Sequence, residues 1–297
     1  MSAVDATDAS GPAPGGAPLR RSDRAGRLGT VLIWVLMTFF LVNVAALVAA
    51  VLANSFATRW LGTWLPAGWT VRWYGAAWGE FQLGDVLIVT MEVVFAVVAL
   101  SVLLGVPAAY ALARRDFLGK RALMLLFVLP LLVPPITYGI PLAALLYEVG
   151  LAGTMWGVIL ANLVPTVPFV ILVMTPFIEQ IDPRLESAAR VFGAGTFGVF
   201  RYVLIPLLAP GILAAALLVL VRSIAMFELT FLTAGPDSQT LVVALYYAVF
   251  AAGVRATQSI DAMAVTYMVA TLVWLLLALR IVNPTQLVAR TKEQPGH

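Results

Sequence analysis

The amino-acid sequence predicts an all-α membrane protein with six transmembrane helices. Of its 297 residues, 62% are hydrophobic and 11% are charged, and the mean hydropathy is +0.97. A soluble domain is instead about 45–50% apolar and about 25% charged. A spanning helix needs roughly 20 mainly apolar residues. Six stretches reach this length, called segments 1 to 6 in chain order: 28–53, 84–113, 122–147, 155–178, 203–232 and 262–281.

Segment 1 has the features of a retained membrane anchor. Four arginines precede it, as in a secretory signal: Arg20, Arg21, Arg24 and Arg27. Its apolar run of about 26 residues is too long for a signal core of roughly 7–15 residues. The chain's first 19 residues are rich in Ala, Gly, Pro and Ser, so 1–27 are predicted to be a disordered basic tail. A membrane domain is predicted at 28–283, followed by a second tail at 284–297.

The positions of the basic residues predict the orientation in the membrane. With the N-terminus in the cytoplasm, 14 of the 18 Lys and Arg residues fall in cytoplasmic loops or tails. Three of the others lie on the opposite side, and Arg222 lies within segment 5. Because cytoplasmic loops carry the excess of Lys and Arg, both termini and 284–297 are expected to be cytoplasmic.

The loop between segments 1 and 2 holds five of the eight tryptophans: Trp60, Trp64, Trp69, Trp73 and Trp78. Indole rings favour the interface between lipid and water, so a membrane-interface belt accounts for them. Contact with a partner outside the cytoplasm is the second interpretation, and both can hold together.

Polar side chains inside an apolar segment are costly in a bilayer and are therefore functional candidates. Segment 5 contains Arg222, Glu228 and Thr230. On one continuous helix, Arg222 and Glu228 would be separated by about 600° of rotation and about 9 Å of rise, so they would lie on different faces. Glu228 either lines a path for solute or bonds structurally to another helix. Tyr138 in segment 3 and Glu92 in segment 2 are weaker candidates for the same path.

Prolines are concentrated in segments 3 and 4: Pro130, Pro134, Pro135, Pro141, Pro165, Pro168 and Pro176. Each removes a backbone donor and favours a kink. The kinks either curve the bundle or frame a central cavity. Asn162 in segment 4 is expected to bond between helices.

The loop 179–202 predicts a helix, a tight turn and a second helix outside the membrane. Asp182 followed by Pro183 is a typical helix start. An apolar face follows at helical spacing, formed by Leu185, Ala188, Ala189 and Phe192. Three glycines then permit the turn: Gly193, Gly195 and Gly198. The apolar face must be covered either by the protein's own helix ends or by a groove on another subunit.

Several kinds of chemistry are excluded by the residues the chain lacks. It has no cysteine, and its single histidine is the terminal His297. The one Gly-Lys pair, Gly119-Lys120, is followed by Arg121 and lacks the upstream glycine of a phosphate-binding loop. No catalytic residue, metal ligand or nucleotide site is therefore predicted on this chain, and an intramembrane enzyme is disfavoured.

The loop 179–202 resembles the EAA loop of the permease subunits of binding-protein-dependent ABC importers with the type I fold. Ala188 and Ala189 match the alanines of that motif, and Gly193 falls at the required spacing. The end of the motif is matched with conservative changes by Val203, Ile205 and Pro206. Ser187 occupies the position of the motif's glutamate, directly after Glu186. Similar permease-like stretches occur at 68–74, 105–114 and 129–135, so the resemblance covers roughly residues 28–285.

The resemblance implies that several chains act together: some form the pathway, some bind ATP and one delivers the solute. Two permease subunits, of different sequence by expectation, would form the pathway in a bacterial cytoplasmic membrane and contact its lipid. Two cytosolic ATPase subunits would bind ATP and Mg, and a solute-binding protein would deliver solute from outside. No nucleic acid is implied. The helix at 182–192 would dock on the ATPase through the expected coupling residues: Asp182, Glu186, Ser187, Ala188, Ala189, Arg190, Phe192 and Gly193.

The sequence indicates the transported solute less clearly than it indicates the class of protein. The stretches 227–236 and 240–247 resemble the polyamine and iron branch of these permeases somewhat more than the sugar branch. The alternative class is a secondary transporter or channel without an ATPase. Such a protein is expected to show repeat symmetry or denser intramembrane charge, which this sequence lacks, and it would leave the amphipathic loop unexplained.

Overall fold

The computed structural model of the chain describes residues 22–60, 62–250 and 255–281. The chain divides into two compact units, Met1–Ala50 and Val51–His297. Helix α1 (Ser22–Ser55) provides the described part of the first unit and continues into the second. Between residues 29 and 50 most of its apolar side chains are exposed, among them Trp34 and Phe39. Such exposure is expected of a helix that lipid surrounds.

Helix α1 starts earlier than the sequence predicts. Residues 22–27, expected to be part of the disordered tail, are helical. Extending an existing helix costs far less than nucleating a new one, so a long apolar helix propagates into a permissive flank. The rest of the predicted tails, 1–21 and 284–297, lies outside the described residues.

The second unit continues with helices throughout. The first group is α2 (Arg72–Glu80), α3 (Leu83–Arg114), α4 (Lys120–Leu132), α5 (Pro135–Glu148), α6 (Met155–Glu179) and α7 (Pro183–Val191). The second group is α8 (Thr196–Val199), α9 (Ile205–Ile224), α10 (Glu228–Thr233), α11 (Leu241–Phe250) and α12 (Thr257–Ile281). A π-helical turn, Phe200–Leu204, joins α8 to α9. Among the described residues, five helices are long and apolar enough to span a membrane, or six if α4 and α5 count as one broken span. The predicted all-α membrane class is thereby confirmed.

Helices α3 and α6 form the centre of the second unit. Buried Val97 and Ala109 of α3 share a core with Val170 of α6. A Cβ at Gly105 would lie 2.6 Å from Val170 Cγ1, so only glycine permits this close approach. Ser101 Oγ also lies within 2.7 Å of Thr166 Oγ1, which links the two helices by a buried hydrogen bond.

Segment 3 is broken rather than gently kinked. Helices α4 and α5 meet at an angle of 101°. Val133 and Pro134 adopt extended ψ angles of 133° and 132° between them. Pro135 disfavours the helical conformation of the residue before it, and consecutive prolines therefore end α4. By contrast, α6 remains one continuous helix although it contains Pro165, Pro168 and Pro176.

Segment 5 is wrong as a single span over 203–232. Helix α9 ends at Ile224, and α10 begins at Glu228 after a break of three residues. Leu229 and Thr230 of α10 are buried, so packing of α10 against other helices redirects the chain where no proline or glycine marks a break. Helices α2 and α11 were not predicted from the sequence, since both are too short to span a membrane.

Candidate functional site

Helix α7 begins and ends with two well-formed caps. The Asp182 carboxylate accepts a hydrogen bond of 2.9 Å from the Arg184 backbone N–H, and Pro183 occupies the first helical position. At the other end, Gly193 has a φ of +88°. Its N–H donates to the Arg190 carbonyl, and the next N–H donates to the Ala189 carbonyl, which is the Schellman pattern. The predicted helix and turn are confirmed.

One face of α7 is apolar and exposed. Phe192 is 91% exposed and Leu185 is 47% exposed. Ala188 on the same side is also exposed. The protein's own helix ends therefore do not cover this face in the described part of the chain.

The opposite face of α7 is anchored to α3 through Glu186, which is only 7% exposed. Arg114 Nε donates to Glu186 Oε1 at 2.8 Å, and the Tyr110 hydroxyl donates to Glu186 Oε2 at 2.7 Å. Arg114 Nη2 also donates to the Ile181 carbonyl at 2.6 Å. Glu186 was expected to contact an ATPase, but its carboxylate is occupied within this chain.

Tyr110 and Arg114 were not identified as site residues from the sequence. They are four residues apart at the end of α3, so they lie on the same helix face. That spacing is a usable signal only once α3 and α7 are known to meet. From the sequence alone, Arg114 is only one of the basic residues that predict the cytoplasmic side.

A cavity of about 300 Å³ lies between α7 and the end of α3. Its lining includes Arg114, Arg115 and Arg190 together with the Glu186 carboxylate. Ser187, at the position of the motif's glutamate, also lines it, and its hydroxyl lies 3.3 Å from the Pro183 carbonyl. Ala189 does not line the cavity; it is half-buried and packs against the hydrophobic core of the second unit. Ser187 and Arg190 thus border the cavity rather than the apolar face.

A second cluster of polar side chains lies where segment 3 (α4 and α5) meets segment 5 (α9 and α10). Helix α5 packs against α10. The contact is close, because a Cβ at Gly139 would lie 2.9 Å from side-chain atoms of both Leu229 and Leu232. Non-helical backbone at membrane depth is tolerated where it is buried in protein or lines a water-filled cavity. The two breaks therefore mark this region as a candidate solute path.

Predicted pathway residues are found in this region. Arg222 and Glu228 both interact electrostatically with the Tyr138 hydroxyl. Asn162 Nδ2 donates a hydrogen bond of 3.1 Å to Thr230 Oγ1, which confirms the interhelical role expected of Asn162. Within the described ranges, four buried polar atoms of this region lack a hydrogen-bond partner: Tyr138 Oη, Asn162 Oδ1, Arg222 Nε and Ser223 Oγ.

The prediction that Arg222 and Glu228 belong to one continuous helix was wrong, because α9 ends at Ile224 and α10 begins at Glu228. No ion pair joins them in the part of the chain that the structure describes. Glu92 is placed differently from the other pathway candidates. It is exposed on α3, and the described residues provide it with no hydrogen bond or ion pair.

This chain is similar to curated transport proteins and to solved transporter structures. A "probable molybdenum ABC transporter permease protein" of Haloferax volcanii is 35% identical over 142 residues, 45% of this chain and 53% of that protein. The diacetylchitobiose uptake system permease protein NgcG of Streptomyces coelicolor is 29% identical over 186 residues, 63% of this chain and 58% of that protein. The chain thus spans little more than half the length of these relatives.

One solved structure is a bacterial ABC transporter involved in the import of the acidic polysaccharide alginate. It matches with a TM-score of 0.67 and 18% identity, covering 91% of this chain and 98% of that one. At this identity the similarity shows the fold alone.

The fold and the anchored helix α7 define a helical membrane component with several spans. More specifically, the chain belongs to the family of binding-protein-dependent transport system inner membrane components, whose family model matches residues 101–287. Neither relative's description mentions a polyamine or iron. The expected preference for the polyamine and iron branch is therefore unsupported.

Proposed function

We propose that this chain is a permease subunit of an ATP-driven importer and forms half of its solute pathway. Membership of the inner membrane component family supports this function. A second permease subunit completes the path, two cytosolic ATPase subunits bind ATP and Mg, and an extracytoplasmic binding protein delivers solute. The distribution of basic residues favours cytoplasmic termini in a bacterial cytoplasmic membrane.

The main support for this proposal is that α7 has two different faces, one exposed and one bonded to α3. Its outward face is apolar and exposed at Leu185, Ala188 and Phe192, which suits insertion into a groove on another protein. Its inward face is held to α3 by the Arg114–Glu186 ion pair. A movement of the docked ATPase is thus passed through α7 to a membrane-spanning helix. A channel or secondary transporter would leave the exposed face without an occupant.

The solute path lies where α5 meets α10, with Tyr138, Glu228 and Thr230 facing it and Arg222 contributing a positive charge. The group contains both a carboxylate and a guanidinium, together with hydroxyl and amide atoms that lack partners. Such a mixture suits a small polar solute with several hydrogen-bonding groups. A sugar or an oxyanion is consistent with the descriptions of the relatives.

Replacement of Phe192 by serine tests the docking face. The full chain carries an affinity tag and is purified from its native membrane, and the co-purifying ATPase activity and the uptake of solute are measured. We expect Phe192→Ser to lower both by about tenfold or more, since burial of a phenylalanine contributes about 1.5–3 kcal/mol. Leu118→Ser is the matched control, because Leu118 is fully exposed in another loop outside the spans. Normal ATPase recovery and uptake with Phe192→Ser would contradict the proposal.

A further inference from the structure

We propose that the cavity between α7 and the end of α3 binds a phosphate group. The group comes either from an anionic phospholipid of the inner leaflet or from a soluble phosphate ion. This site is separate from the solute path and from the docking face, and it would make the anchoring of α7 sensitive to the ligand. The cavity of about 300 Å³ has the volume of about ten water molecules, which is ample for a phosphate group.

The charge in this cavity is positive and largely uncompensated. Three arginines line it against the single carboxylate of Glu186. That carboxylate already accepts from Arg114 Nε and the Tyr110 hydroxyl. Arg115 and Arg190 have no ion pair among the described residues. Guanidinium groups match the geometry of phosphate oxygens and bind them in a bidentate manner.

The nearby acidic side chains are occupied elsewhere. Asp116 pairs with Lys120 at 3.0 Å, and the Asp182 carboxylate caps α7. Among the described residues, no further carboxylate lines the cavity. An anion with several oxygens is therefore the ligand that satisfies the remaining donors.

The ATPase does not account for this cavity, because the cavity lies on the other side of α7 from the docking face. Successive residues of a helix are about 100° apart, so Arg190 points about 140° away from Leu185 and about 160° away from Phe192. The cavity instead lies at the end of the span Leu83–Arg114. Lipid headgroups are found at this depth, and basic pockets between helices on the cytoplasmic side bind anionic headgroups.

A cysteine protection experiment tests the site, since the chain contains no cysteine. Thr196 lines the cavity and is exposed, so Thr196→Cys is introduced in the full chain. The rate of its reaction with neutral N-ethylmaleimide is measured in phosphatidylcholine nanodiscs. One arm adds increasing phosphatidylglycerol, and the other adds inorganic phosphate. Leu118→Cys, in a nearby exposed loop, corrects for general effects of surface charge.

We expect phosphatidylglycerol, inorganic phosphate or both to slow the reaction at Thr196→Cys by about fivefold or more, relative to Leu118→Cys. Protection by phosphatidylglycerol alone identifies a lipid headgroup, and protection by inorganic phosphate identifies the soluble ion. Combining Arg115→Gln with Arg190→Gln should remove the protection, because each basic group near the surface strengthens binding about fivefold. Arg184→Gln, on the same helix but outside the cavity lining, should retain it.

Two results would overturn the proposal. One is the absence of protection in both arms, and the other is equal loss of protection with Arg184→Gln and with the paired Arg115 and Arg190 replacements. The measurement needs neither transport nor ATPase, so its outcome does not depend on the proposed function.

Discussion

Gly193 shows how one backbone angle shapes the candidate coupling helix. The space around it is open, since an added Cβ would find no atom within 4 Å. Its φ of +88° is the constraint, because a side chain disfavours this left-handed region. The need for glycine therefore comes from the backbone and not from crowding.

We expect Gly193→Ala to lower the free energy of unfolding by about 1–2 kcal/mol. Gly195→Ala is a close control, because Gly195 also has open space but an extended backbone with a φ of −69°. Thermal unfolding of both variants in lipid nanodiscs measures the difference. Equal stabilities of the two variants would show that the turn does not depend on the left-handed conformation.

At the scale of elements, the buried ion pair between Arg114 and Glu186 joins α3 to α7. Their side chains are 13% and 9% exposed, so water screens the pair only weakly. Removing one partner leaves a buried charge without its counterion, which costs about 3–5 kcal/mol. The pair therefore holds α7 against the end of α3.

Glu186→Gln should release the coupling loop while keeping the size of the side chain. We expect faster hydrogen exchange across 183–191, by about tenfold or more, because the free energy of local opening falls. Glu179→Gln serves as the control, since Glu179 is exposed at the end of α6. Unchanged exchange with Glu186→Gln would mean that other contacts hold the helix.

The prolines of segments 3 and 4 show why helix breaks are difficult to predict. Pro134 and Pro135 separate α4 from α5, whereas Pro165, Pro168 and Pro176 lie within an unbroken α6. Helix α6 packs along α3 and α9, and these contacts stabilise a helix that has lost several backbone donors. Neighbouring helices thus decide where a proline breaks the chain.

At the scale of the whole molecule, the proposed solute path depends on helices that are far apart in sequence. We expect Glu228→Gln to change the KM for solute uptake by about tenfold, since a hydrogen bond to a charged group contributes about 1.5–3 kcal/mol. Glu148→Gln provides the control, because Glu148 is exposed at the end of α5. Uptake is measured in cells that express the complete importer, with the amount of assembled complex determined in parallel. Uptake kinetics equal to the wild type would favour a structural role for Glu228.

The sequence by itself determined the membrane class, the caps of α7 and the family resemblance, because these depend on composition and on residues close together in the chain. It also predicted the interhelical role of Asn162. Tertiary structure alone decided the break after Ile224, the burial of Glu186 and the packing of α5 against α10. These features arise from packing between distant helices, and hydrophobic periodicity does not encode which helices meet.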